Sequence, residues 1–294
     1  MLGARSRRLC VVECGSEAEQ SCRLLVGENK AAAGAAALQG ASRAPGAAVY
    51  YAGLNGDILS SGVPRERQPP QKFDESIGGL AMKLMNLDFS RIAHDTFRIQ
   101  GSKLIYIDPF KVTKRDEADI VLISHEHFDH LSPEDLQKVI CPRTTIVAST
   151  SCKSGLKGMK VKETKFLVPG DKVNIETVEI EAVPAYNVNK FREPGHVFHP
   201  KEDKKLGFVF KMDGTRVYFA GDTDFIPEMK SITCDIALLP VSGTYVMTAE
   251  EAVEATEAIK PKIVVPMHYG VIVGSEGDAQ RFKSLVKNCK VEII

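Results

Sequence analysis

The chain has 294 residues, with 38 Lys+Arg against 38 Asp+Glu, so its formal charge is zero. Hydrophobic residues make up 44% and charged residues 26%, the composition of a globular domain, and the balanced charge argues against a strongly basic nucleic-acid binder or an acidic tail protein. No apolar run approaches the ~18 residues of a membrane-spanning helix. The seven Cys are scattered at 10, 14, 22, 141, 152, 234 and 289, which is not a disulfide framework and fits a reducing, cytoplasmic setting.

Residues 1–81 read differently from the rest. Positions 31–48 (AAAGAAALQGASRAPGAA) are low in complexity, and no period of 3.6 or 2 is sustained. Such a stretch buries too little apolar surface to offset the entropy of ordering it. The expectation is an extension dispensable for the site, followed by a domain over 82–294. The start, MLGARSRRLCVV, has three Arg and no acid before Glu13, which leaves organellar targeting as the alternative location. Glu17, Glu19 and Glu28 run against it.

From residue 86 the punctuation is regular. Thr96–Gln100 and Lys103–Ile107 flank Gly101-Ser102 and predict a hairpin. Ile120–Ile123 is continuously apolar, as in a strand buried on both faces. Ser132-Pro133-Glu134-Asp135 predicts a helix start, with a capping Ser, Pro in the first turn and acids beside the positive end of the helix dipole. Thr144–Ala148 and Thr177–Val183 read as strands. Gly207–Met212 and Arg216–Ala220 form a hairpin around Asp213-Gly214. Asp235–Leu239 is another strand, and Thr248-Ala249-Glu250-Glu251 is a capping box that opens a helix. Ile263–Pro266 predicts a strand, Ala279–Lys287 a helix and Val291–Ile294 a final strand. Strands, then strand–helix alternation, in each half imply an α/β domain of sheets covered by helices.

The chemistry sits in Ser124-His125-Glu126-His127-Phe128-Asp129-His130, between the apolar strand and the helix cap. Three imidazoles and a carboxylate in six residues are a dense set of ligands for Zn²⁺, with Mn²⁺ or Fe²⁺ as alternatives. All seven His lie beyond residue 81. Gly221-Asp222-Thr223 and Pro266-Met267-His268-Tyr269 each follow a predicted strand, so all three groups stand at strand ends.

His125-x-His127-x-Asp129-His130, Asp222 and His268, in that order, resemble the metallo-β-lactamase fold superfamily over about 82–294. The resemblance implies a four-layer αββα sandwich and a dinuclear metal site. By the superfamily's pattern, His125 and His127 hold the first ion, Asp129, His130 and His268 the second, and Asp222 lies between them. The pattern also wants a third His for the first ion, where this chain reads Ala185-Tyr186-Asn187. His199, in Phe198-His199-Pro200, is preferred because that His-Pro pair resembles one group of hydrolases in the superfamily. His196 and Tyr186 are the alternatives. His94 reads as an ordinary histidine outside the site.

Two divalent ions ~3.5–4 Å apart acidify a shared water toward a pKa of ~7 and polarise a carbonyl or phosphoryl oxygen. Asp129 and Asp222 are the candidate catalytic carboxylates. His127, where flavo-di-iron relatives carry Glu, favours a hydrolase. The absence of a Gly-His-Thr-x-Gly-His motif disfavours glyoxalase-II-like thioesterases. What remains resembles the compact branch that includes ascorbate-6-phosphate lactonase. The expected reaction is cleavage of an ester bond, phosphoester or lactone, in a small anionic substrate. Lys190, Arg192, Lys201, Lys204 and Lys205 lie between two motif segments, either as a rim that attracts an anionic substrate or as a solvated basic loop offset by Glu193, Glu202 and Asp203. The alternatives are a phosphodiesterase or nuclease acting on nucleic acid, and a non-catalytic metal-binding protein. No membrane span and no nucleic-acid partner are expected, and a homo-oligomer is allowed.

Overall fold

The computed structural model describes residues 81–294. The expected 1–81 extension therefore lies outside the described residues, except for its last position. Two seven-stranded sheets form the core of the domain. The first is built in chain order from β1 (Met82–Leu84), β2 (Leu87–Ala93), β3 (Thr96–Gln100), β4 (Leu104–Ile107), β5 (Ile120–Ile123), β6 (Thr145–Ser149) and β7 (Glu163–Leu167), with α1 (Pro133–Val139) between β5 and β6. It is antiparallel through β4 and parallel from β4 to β7.

The second sheet uses β8 (Lys172–Ile175) and β9 (Val178–Pro184), then, beyond the small hairpin β10 (Phe191–Glu193) and β11 (His196–Val197), β12 (Leu206–Met212) and β13 (Thr215–Phe219). It continues with β14 (Ile236–Pro240), β15 (Ile263–Met267) and β16 (Lys290–Val291). Its spatial order is β16-β15-β14-β13-β12-β9-β8. α2 (Ala249–Ile259) precedes β15 and α3 (Glu276–Leu285) follows it.

Side-chain alternation explains the layering. Ile105, Ile107, Ile120, Leu122 and Val147 point into one cluster with Phe208, Phe210 and Phe219 of the second sheet. Their neighbours Leu104, Tyr106, Val121, Ile123, Ile146 and Ala148 point the other way, onto Leu136 and Val139 of α1. A period of two with both phases apolar marks a sheet covered on both faces. On the far side, Ala249, Ala252, Ala255 and Ile259 of α2 and Ala279 and Phe282 of α3 close the second sheet. The result is the expected αββα sandwich. Burying Phe282 alone contributes about 1.5–3 kcal/mol.

The helix signals act as read. Ser132 accepts from the Asp135 amide at 3.3 Å, with Pro133 in the first turn. The Thr248 hydroxyl accepts from the Glu251 amide while the Glu251 carboxylate accepts from the Thr248 amide. α3 starts three residues earlier than the apolar pattern suggests, because Asp278 caps the Ser275 amide. The final strand is Lys290–Val291, displaced from the predicted 291–294.

Candidate metal centre

The chemistry collects at the C-terminal ends of β5, β13 and β15, where turns replace strand pairing and side chains are free to converge. The loop after β5 carries His125 to His130. Gly221 follows β13 at φ +67, and a Cβ there would stand 2.6 Å from the Leu206 carbonyl oxygen, so only glycine fits before Asp222. His268 follows β15 with φ 60. The Leu206 amide donates to the Ser124 carbonyl, tying the start of β12 to the histidine loop.

Asp222 is the centre of the cluster. Its Oδ2 lies 3.9 Å from His125 Nε2, 3.4 Å from His199 Nε2 and 3.4 Å from His268 Nε2. Its Oδ1 lies 3.4 Å from His130 Nε2. His127 Nδ1 is 3.0 Å from His125 Nε2. His125, His127, His199 and Asp222 offer donor atoms that all lie within 4.8 Å of one another, and so do Asp95, His130, Asp222 and His268. Asp129 Oδ2 lies 3.5 Å from His130 Nε2 and shares a third group with His94 and His268.

The partners of the outer ring nitrogens set the tautomers. His130 Nδ1 donates to Asp108 Oδ2 at 2.7 Å, and Ser124 donates to the same carboxylate through its amide and its hydroxyl. With its proton committed to Asp108, the Ser124 hydroxyl accepts from His125 Nδ1 at 2.9 Å. Asn187 Oδ1 accepts from His199 Nδ1 at 2.8 Å, and Ser242 Oγ lies 3.0 Å from His268 Nδ1. Four imidazoles therefore turn Nε2 inward, and in His125 and His199 that atom carries a lone pair. His127 is reversed: its Nδ1 faces the cluster, and its Nε2 faces Lys205 Nζ at 3.3 Å. Outer partners of this kind fix the orientation of metal-binding histidines.

Electrostatics agree. Burial keeps His125 well below its usual pKa and His199 down at about 4, so both rings are neutral at pH 7. Burial opposes ionisation of Asp222, but His130 and His268 beside it hold its carboxyl well below the usual range. Burial likewise opposes a charge on Asp129, and His130 reverses that. His130 Nε2 and Asp222 Oδ1 are buried without a hydrogen-bond partner. Burial opposes a charge on His130 and His268 too, but the carboxylates around them, Asp222 first, push both up. Neutral His125 and His199, ionised carboxylates and inward atoms without a hydrogen-bond partner fit a cation at this point, which would take the place of the protons that His130 and His268 otherwise hold against Asp222.

The structure separates the three candidates for the missing His. His199 joins the cluster. Tyr186 does not, because its hydroxyl donates to Glu228. His196 is exposed on the small hairpin. One reading is corrected: His94 is fully buried, and its Nε2 is 3.6 Å from Asp129 Oδ2. The basic loop divides between its two readings. Lys190 pairs with Asp224 and Glu251, and Lys201 with Glu228. Arg192 and Lys205 alone of the five line the cavity of about 480 Å³ beside His127.

Asp108, Asn187 and Ser242 carry no motif of their own, although Asn187 and Ser242 each stand just past a predicted strand. Asn187→Ala is expected to weaken metal binding at the His125–His127–His199 side by about 10–100-fold, because His199 loses the acceptor that fixes its tautomer. Chelator competition checks it. Unchanged affinity would show that packing alone orients His199.

A family model for the β-lactamase superfamily domain matches residues 89–268, more than half of the chain. The chain belongs to the metallo-β-lactamase fold superfamily. Within that superfamily, a UPF0173 metal-dependent hydrolase of Pelotomaculum thermopropionicum is 34% identical over 210 residues, 67% of this chain and 90% of that one. Its counterpart from Thermoplasma acidophilum is 32% identical over 214 residues, covering 68% and 91%. The crystal structure of a protein from Parabacteroides distasonis, titled a metal-dependent hydrolase, superposes with a TM-score of 0.61 at 36% identity, covering 74% of this chain and 98% of that one. A metallo hydrolase of Ignicoccus hospitalis, 24% identical with a TM-score of 0.58, shares the metallo-β-lactamase fold. The chain is a metal-dependent hydrolase, and among the described residues no helix is long and apolar enough to cross a membrane.

Proposed function

We propose that the chain holds two divalent ions, in the first instance Zn²⁺, and cleaves an ester bond, phosphoester or lactone, in a small anionic molecule. In this reading His125, His127 and His199 hold the first ion, Asp129, His130 and His268 the second, and Asp222 serves both. The observation that carries it is the approach of four imidazoles to the two oxygens of the single buried carboxylate of Asp222. Two ions bound there supply Lewis acidity toward the scissile group and a nucleophile drawn from water at neutral pH.

The protein's own part is orientation and proton handling. Asp108, Ser124, Asn187 and Ser242 hold the imidazoles in one tautomer each. Asp129 is ionised and, at 12% side-chain exposure, more open than Asp222 at 5%, so it is the carboxylate placed to take a proton during attack. Lys205 supports the anionic substrate. Its side chain is 2% exposed, its Nζ reaches Glu126 at 2.9 Å, and it meets the cavity at His127. Glu126 offsets part of its charge, and Glu193, Glu202 and Asp203 also line the cavity, but burial strengthens what remains toward a phosphate or carboxylate relative to a surface lysine.

The test is metal content per chain by elemental mass spectrometry, with hydrolysis of phosphodiester and lactone panels. Two ions and metal-dependent turnover are expected; one ion, or none, would overturn the dinuclear reading. Lys205→Met should raise KM for an anionic substrate by about tenfold, roughly 1.4 kcal/mol, with metal content unchanged. An unchanged KM would remove the basis for an anionic substrate.

A further inference from the structure

A further imidazole, that of His94, stands beside Asp129 and His268. His94 sits in the tight turn between β2 and β3 with φ 47, a left-handed conformation that a non-glycine residue adopts at a cost. The turn is bolted to the loop that carries His268. Arg91 Nε donates to the His94 carbonyl at 3.0 Å, and Arg91 Nη2 donates to the Tyr269 carbonyl. The same guanidinium lies 3.8 Å over the Tyr269 ring. The His268 amide points at the His94 carbonyl at 3.4 Å. One arginine, 178 residues from Tyr269 in sequence, thus clamps two strand-end turns together.

The clamp fixes where the ring goes. The His94 imidazole lies 4.0 Å from the His268 ring and 6.4 Å from the His130 ring, centroid to centroid. Its Nε2 approaches Asp129 Oδ2 at 3.6 Å. Donor atoms of His94, Asp129 and His268 lie within 4.8 Å of one another. Both ring nitrogens of His94 are buried without a hydrogen-bond partner. A packing histidine would have a carbonyl or hydroxyl within reach, because burying an unpaired polar atom costs about 1–3 kcal/mol. The other four Nε2-presenting rings each have an outer partner, and His94 has none.

We propose that His94 Nε2 is a ligand of the second metal ion, beside Asp129, His130, Asp222 and His268. The inference rests on the dinuclear reading above. Ligation answers one orphaned nitrogen and gives each position three imidazoles. It also makes the two positions unequal. The first has one carboxylate and the second has two, with five protein donors in all. A site of five donors with two carboxylates suits an ion that accepts five or six ligands, Mn²⁺ or Fe²⁺, better than a four-coordinate zinc.

The experiment uses the full chain, wild type and His94→Ala, loaded with Co²⁺ and titrated with chelator while d–d absorption and bound cobalt are followed. Wild type is expected to bind two ions. His94→Ala is expected to keep the first, lose at least about tenfold in affinity for the second, and show a changed spectrum that added imidazole restores. Retention of the first ion reports that the variant is folded. His94→Gln, which keeps bulk but removes the imidazole, provides the same reading should the alanine variant fail to fold. Two ions bound with wild-type affinity and spectrum in either variant would overturn the role of His94 and leave the dinuclear reading intact. A wild-type chain that binds fewer than two ions would overturn both.

Discussion

Asp222→Ala is expected to reduce bound metal from about two ions per chain to fewer than one, and hydrolysis by about a thousandfold or more. The argument is geometric. Asp222 is the residue common to both donor groups, that of His125, His127 and His199 and that of Asp95, His130 and His268; His125, His199 and His268 approach its Oδ2 and His130 its Oδ1. Losing a peripheral ligand would leave one ion in place; losing this carboxylate removes negative charge from both positions at once. Several kcal/mol of transition-state stabilisation go with the ions, and each 1.36 kcal/mol is a factor of ten in rate. Asp222→Asn keeps the shape and removes the charge, so it should fall close to the alanine variant. Elemental analysis on protein passed through gel filtration, together with single-substrate kinetics, checks both. Two ions retained in Asp222→Asn would show that shape rather than charge holds the pair, and that the carboxylate is not shared.

The histidine loop is legible because its candidate donors are local. His125, His127, Asp129 and His130 occupy six residues between a buried strand and a helix cap, and no tertiary contact is needed to see them together. Asp222 and His268 were legible through their places after apolar strands. The choice among Tyr186, His196 and His199 was not fixed by spacing. It depends on how the chain from β9 to β12 folds back, and the residue that decides it is Asn187, which takes both the His199 amide and the His199 Nδ1 proton. The place of His94 is illegible in the sequence for a deeper reason. It lies far upstream of the loop in a turn without a motif, and a clamp between remote turns brings it to the site. Nothing periodic in a sequence records such a clamp.

The strands show the same division between local and non-local information. β5, β12, β13 and β14 are apolar runs in the middle of sheets, and they were read to within a residue. β7 (ETKFL) and β8 (KVNI) are outer strands of their sheets, with charged or polar side chains facing water. Edge strands carry such residues to avoid pairing with other chains, which erases the signal that an apolar run would give. The basic loop is ambiguous in the opposite direction. Five cations look like a substrate rim in one dimension, whereas in three Lys190 and Lys201 are occupied by Asp224, Glu251 and Glu228.

Stripping the metal is expected to lower the thermal midpoint of the domain by about 10 °C or more, with recovery when the ions are restored. Without cations the cluster keeps His130 Nε2 and Asp222 Oδ1 buried and unpartnered, along with the His94 nitrogens and both Asp95 oxygens. Burial drives the Asp95 carboxyl up to about 8, which marks how poorly this pocket tolerates uncompensated negative charge. An ion bound only by the folded state at a thousand times its Kd stabilises by about 4 kcal/mol. For a domain of this size each kcal/mol moves the midpoint by about 2–4 °C, so even one ion accounts for the shift. Scanning fluorimetry before chelation, after chelation and after return of Zn²⁺ or Mn²⁺ checks it, with elemental analysis to prove the removal. A midpoint unmoved in protein shown to be metal-free would mean that the buried imidazoles and carboxylates are already stable as an ion-pair network, and that the cluster is not built around a cation. The same experiment on Asp222→Ala should show almost no response to chelator, because a site that no longer binds the ions has no binding energy left to lose.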